Sequence, residues 1–184
     1  FEPHEGDRIV EIGAIELIGH MPTGRTYHQY INPKRSMPAG AFGVHGIGPD
    51  LLEPPQTPTT GQVTLRDKPV FADIAQGFID FIGDAKLVIH NAAFDMKFLN
   101  AELARVKRPN LSYDRLIDTL TIARKRYPGA PASLDALCRR FGIDLSVRTL
   151  HGALVDCELL AAVYLEMVGG RQPGLVLADD SQPQ

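Results

Sequence analysis

Cysteine is scarce in this chain, with two among 184 residues. Cys138 and Cys157 each fall inside an apolar helical pattern, and neither stands at the spacing that metal ligands use. A disulfide framework and a cysteine-held zinc are thereby excluded, and the pair reads as buried, reduced thiols of a cytoplasmic protein. Long hydrophobic runs are also missing, and no signal peptide is recognisable, so no membrane partner is expected. Nor is there a dominant charge, since 19 Lys and Arg against 22 Asp and Glu leave a net −3. That excludes the general electrostatic grip by which a duplex-coating protein holds nucleic acid. What is present suffices for one domain with a full core, because 44% of the residues are hydrophobic.

The patterning alternates between strand and helix. Residues 8–18 are apolar and β-branched around Gly13, and residues 25–32 read as a hairpin partner across a turn from His20 to Gly24, with Pro33 ending the ladder. Phe71, Ile74, Phe78, Ile79 and Ile82 lie at helical spacing and predict a core-facing helix over 70–83. A short strand over 86–90 then feeds a helix from Ala93 to Arg105 that turns Phe98, Leu99 and Leu103 inward. Tyr113 to Ile117 reads as another strand, followed by a helix opening at Asp118 and stopped by Pro128-Gly129. Ser133 caps the next helix, which runs to Phe141. The last helix carries an apolar stripe of Leu154, Ala161, Tyr164 and Val168, with Glu158 and Glu166 off that face. Residues 53–66 are rich in Pro, Thr and Gln without apolar period and read as a surface loop. Beyond residue 169 the composition turns to that of a linker, so the expected division is a domain over 1–169 and a flexible tail over 170–184.

Chemistry gathers at two places. His151 and Asp156 lie five residues apart at the head of the last helix. With His151 on the entering turn, a divalent cation on the carboxylate and a water between cation and imidazole can be accommodated. The competing reading is a cap-region histidine and a first-turn acid favoured by the helix dipole. Asp95 follows the 86–90 strand in the first turn of its helix, at the strand end where open α/β sheets place their chemistry. Asp118 reads as an N-cap in preference to a metal ligand. The basic clusters Arg105-Val106-Lys107-Arg108 and Arg124-Lys125-Arg126 read as solvated helix ends that can also touch the phosphates of a strand.

Together these stretches resemble the DnaQ-like, DEDDh group of 3′–5′ exonucleases, and within it the proofreading branch. The resemblance extends through Gly6 to Ala14, Phe42 to Ile47, Ser133 to Cys138 and Arg148 to His151, in the family's order, and covers about residues 6 to 170. It implies a ribonuclease-H-like α/β fold with a mixed five-stranded sheet flanked by helices. It also implies removal of nucleoside monophosphates from single-stranded or mismatched DNA 3′ ends, with two divalent cations, Mg2+ or Mn2+, as cofactors.

By the same resemblance Asp95 and Asp156 are metal-binding acids and His151 is the general base. His45, Val44, Ala41, Asn91 and Phe94 then contact the terminal nucleotide, although Phe94 taken alone reads as a core aromatic. Related chains usually carry a glutamate where Gly40 stands here. The family's first two acids, an Asp-x-Glu, are expected upstream of Phe1. So is the strand that carries them, which should lie between the strand from Arg8 and the strand ending at His90. The implied partners are a single-stranded DNA 3′ end and a polymerase catalytic subunit. Gln172, Leu175 and Leu177 match a sliding-clamp-binding peptide, an ordinary apolar tail being the alternative. Two other functions stay open at this point: a related exoribonuclease, and a non-catalytic accessory module of the polymerase.

Overall fold

The computed structural model describes residues 8–33, 65, 67–146 and 152–169. Strands β1 (Glu11–Ile18) and β2 (Met21–Tyr30) form an antiparallel hairpin, and β3 (Leu87–Ile89) pairs in parallel with β4 (Leu116–Asp118). The helices are α1 (Phe71–Ile82), α2 (Ala92–Arg105), α3 (Thr119–Arg126), α4 (Leu134–Arg140) and α5 (Ala153–Met167). The expected mixed sheet is thus seen as one antiparallel and one parallel ladder, which do not join among the described residues.

The alternation of β1 builds the layers. Ile12 faces a core with Ile31, Phe71, Ile74, Phe78 and Leu103, which docks α1 and α2 on one side of the hairpin. Glu11 and Gly13 point the opposite way, to α5, whose Leu159, Val163 and Met167 meet Ala123 of α3 and Leu137 and Cys138 of α4 in a second core. Because α5 lies between the hairpin and two helices, it is buried on several sides at once. The single stripe expected of it is too narrow: Leu159, Val163, Leu165 and Met167 are also buried, whereas Val168 is exposed.

Three other differences have local causes. The hairpin turn is the pair Gly19-His20, with φ of 57° and 67°, in place of the expected His20–Gly24 segment. Two consecutive left-handed residues match the twist of flanking strands. Residues 23–25 instead bulge opposite Glu16, whose carboxylate accepts from Thr23 Oγ1 at 2.9 Å and Arg25 Nη1 at 2.6 Å. The expected strand from Tyr113 opens as a 3-10 turn (Tyr113–Arg115), because Ser112 Oγ accepts from the Asp114 N–H and bends the chain first. Of the α2 residues expected inside, Leu103 is buried and Phe98 and Leu99 are half-buried. The face also buries Met96 and Glu102.

Glu102 is admitted by a partner 94 positions away: Arg8 Nε reaches Oε1 at 2.6 Å and Nη2 reaches Oε2 at 2.8 Å. This two-pronged contact ties the entry of β1 to α2.

The tightest contact between layers is at Gly13. A Cβ there would lie 2.7 Å from Ala153 Cβ and 2.8 Å from its carbonyl carbon. Gly13→Ala should therefore push the start of α5 off the sheet and lower stability by about 1–3 kcal/mol, the usual range for overpacking. Denaturant unfolding of the two proteins checks this, and equal midpoints would contradict the contact.

Candidate active site

Asp95 and Asp156 both occupy the first turn of a helix, α2 and α5 respectively. The end of β3 feeds α2 through Asn91, a non-glycine residue in the left-handed region with φ 61° and ψ 56°. Strain of this kind needs fixing from outside. The Asp118 carboxylate supplies it, accepting from the N–H groups of Asn91 at 3.0 Å and Ala92 at 3.2 Å. Its Oδ1 also accepts from Leu120 N at 2.9 Å, so one side chain caps the starts of α2 and α3 together. The N-cap role expected for Asp118 holds, and it reaches a second helix that the sequence did not suggest.

His90 braces the same corner. Burial lowers its pKa, outweighing the Ala132 carbonyl and Asp118, which raise it, while nearby Arg124 lowers it further. The neutral ring donates through Nε2–H to the Ala132 carbonyl at 2.8 Å, leaving Nδ1 as acceptor from the Thr119 hydroxyl at 2.9 Å.

On the other side, Glu11 of β1 holds the head of α5. Its Oε2 accepts from Ala153 N at 3.4 Å and lies 2.7 Å from His28 Nε2, and the Tyr30 hydroxyl also bonds to Glu11. Cys157 Sγ donates to the Gly13 carbonyl at 3.2 Å.

The Cys157 thiol is pushed up to about 12, first by burial and then by the charges of Asp156, Asp95, Glu11 and Glu158. One sulfur thus feels both Asp95 and Asp156, which are 61 positions apart. Asp95 is itself pushed up to about 6, first by burial; the charge of Asp118 also raises it, and its own backbone N–H opposes the shift. The residue is nevertheless exposed, and water on its open side screens part of the effect. Crowded carboxylates of this kind gain most from a cation.

Two hard oxygen donors fit magnesium or manganese in kind. Among the described residues no cluster of three or more His, Cys, Asp or Glu donors stands ready to hold a metal. A cavity of about 360 Å³ between the hairpin and α5, lined by Ile15, Met21, Ala161 and Leu165 among others, contains neither Asp95 nor Asp156.

The remaining expected residues fall as follows. Phe94 is 43% exposed, so it is not a core aromatic; it packs on Phe98, and Lys97 stands over both rings. Asn91 is exposed beside it. Cys138 is buried as expected, but Cys157 is only half-buried. His45, Val44, Ala41, His151, Gln172, Leu175 and Leu177, and nearly all of the 53–66 loop, lie outside the described residues. Sequence reasoning missed Glu11, His28 and Tyr30 as supports of α5. The alternation of Glu11 with Gly13 on one face of β1 was the available signal.

An exonuclease family model (RNase_T) matches residues 1–164. The chain belongs to this exonuclease family. Similar proteins include the DNA polymerase III subunit epsilon of Rickettsia felis, 49% identical over 183 residues that make up 98% of this chain and 74% of that protein. The subunit of the same name from Escherichia coli K12 is 44% identical over 184 residues, 98% of this chain and 70% of that one. Among solved structures, the DEDDh-family nuclease domain of 3′hExo bound to rAMP superposes with a TM-score of 0.69 at 17% identity, covering 89% of this chain and 82% of that one. Exonuclease X in complex with 5′ overhanging duplex DNA gives 0.65 at 24% identity, covering 89% and 84%. These likenesses bear out the ribonuclease-H-like fold.

Two tests follow from the geometry. Asp118→Ala removes the acceptor for three helix-starting N–H groups and should cost about 1–2 kcal/mol, read by chemical denaturation, whereas Asp118→Asn should retain most of it. Asp95, whose pKa is raised on folding, adds stability that is complete below its ordinary value of 3.8 and is lost as pH rises through about 6. In metal-free protein Asp95→Asn should therefore be the more stable form at about pH 8 and no more stable at about pH 3; equal stabilities at the higher pH would remove the crowding argument.

Proposed function

We propose that this chain is the exonuclease domain of the proofreading subunit of a replicative DNA polymerase, hydrolysing the terminal phosphodiester at the 3′ end of single-stranded or mismatched DNA. The observation that carries this reading is that Asp95 and Asp156 stand in the first turns of two different helices, α2 and α5, in a chain of the exonuclease family. Family membership and the epsilon-subunit relatives support the same reaction and a polymerase catalytic subunit as partner.

Asp95 and Asp156 are assigned as ligands of two cations, Mg2+ or Mn2+. When bound, the cations neutralise charge building on the phosphodiester and ease deprotonation of the attacking water. His151, one residue before the Gly152 that opens α5, takes that proton and aims the hydroxide in line. Asn91 and exposed Phe94 receive the last nucleotide, with Ala41, Val44 and His45 completing its sugar and base contacts. A mismatched end frays more readily into the single strand such a pocket accepts, which couples error to removal. Gln172, Leu175 and Leu177 are assigned to a sliding clamp, within a tail over 170–184 that follows the 1–169 domain. Among the described residues no helix is long and apolar enough to cross a membrane, and the assignment to replication implies the cytoplasm.

In the full-length protein His151→Ala should lower the rate on a 3′-labelled oligonucleotide by about 10²–10⁴ without changing the unfolding midpoint; full activity would remove the base assignment. Asp156→Asn should shift Mn2+ binding, followed by calorimetry, to weaker affinity, and an unchanged titration would count against that ligand. The same oligonucleotide as RNA separates this reading from an exoribonuclease.

A further inference from the structure

Helices α3 and α4 carry their charge asymmetrically. Their acids, Asp118 and Asp135, stand at the N-terminal ends, and Arg124, Lys125, Arg126, Arg139 and Arg140 occupy the last turns. The two C-terminal ends lie together: Arg140 Cζ sits 4.1 Å over the Tyr127 ring, and Ala123, Leu137 and Cys138 share one core below. All five cations are exposed, and among the described residues none is in an ion pair.

A helix dipole explains one cation at each end. It does not explain five of the chain's 19 at one place, where they repel one another, in a molecule of net charge −3. The rim is tied to the site through α3, which starts at the same Asp118 that holds the start of α2. From Asp118, which holds the start of α2, the eight residues of α3 carry the rim away by about 12 Å at ~1.5 Å per residue. That distance corresponds to roughly three nucleotides at the stacked rise of ~3.4 Å.

We infer that the joined ends of α3 and α4 are a phosphate rail that holds the single strand on the 5′ side of the nucleotide being removed. This rests on the exonuclease reading above. The rail engages the backbone and reads no base, so it adds affinity without sequence preference. It also reconciles an acidic chain with a polyanionic substrate, because the positive charge is concentrated where the strand leaves the site.

The test uses the full-length protein and its Lys125→Ala/Arg126→Ala/Arg139→Ala variant, which leaves Arg124 and the Arg140–Tyr127 contact in place. Binding of a fluorescent single-stranded oligonucleotide is followed by anisotropy across a salt series. The slope of log affinity against log salt should fall by about 2 in the variant, at ~0.7 per lost phosphate contact. The ratio of kcat/KM on the oligonucleotide to that on a dinucleotide should fall about tenfold or more. Identical slopes and ratios would overturn the rail, and if the variant instead lost only its binding to the polymerase catalytic subunit, the patch would be a docking site for an acidic protein. Failure of the parent to hydrolyse either substrate would reject the exonuclease reading, while the salt slope, which needs no turnover, still decides the rail.

Discussion

The close approach of α5 to β1 at Gly13 is the contact on which the arrangement depends. With no side chain at that position, the first residue of α5 settles against the strand backbone, and the Cys157 thiol can reach the Gly13 carbonyl from one turn further along. Glu11, two residues earlier on the same strand face, closes the helix start from the side. Residues of three kinds thus fix one helix end, each by a different force: absence of bulk, a weak sulfur donor and a carboxylate at the positive end of the helix. Asp156 inherits its position from that fixture.

Asp95 inherits its position from a different one. Asp118 ends β4 and caps two helices at once, and it can do so only because β3 and β4 run parallel and finish side by side, Ile89 opposite Asp118. Parallel pairing brings two strand ends and two helix starts to the same edge, where exposed N–H groups and strand-end side chains accumulate. The negative charge that organises this corner also raises the pKa of Asp95 beside it. One support thus fixes backbone and burdens a neighbouring carboxylate at the same time. The two fixtures share no residue, so the spacing between Asp95 and Asp156 is set by how α2 and α5 dock on the sheet.

Much of this was legible in the residues. The Ser133 cap, the Asp118 cap and the stop at Pro128-Gly129 are local chemistry, written within a few positions, and each is where expected. The position of Asp95 just past a strand was readable for the same reason. Less legible was anything held by a distant partner. Arg8 with Glu102, His90 with Ala132 and Glu11 with Ala153 join positions 42 to 142 apart, and no periodicity marks them. Phe94 was ambiguous because an aromatic residue in a first helical turn suits a core or a binding surface equally; only its docked position shows it open to solvent. The hairpin turn was misplaced because Gly24 is the stronger local signal, yet Gly19 with His20 satisfies the strand twist and Gly24 serves a bulge.

The sequence alone determined what depends on short range and on residue type: the alternation of strands and helices, the caps, the place of Asp95 and Asp156 in first helical turns, and the family. Tertiary structure decided which of those groups meet. It made Asp118 serve two helices, seated the head of α5 on Gly13, and gathered five cations from α3 and α4 into a single rim. The physical reason is range: a cap or a turn is satisfied by neighbours in the chain, whereas a charge or a missing side chain acquires its meaning from whatever packing sets beside it.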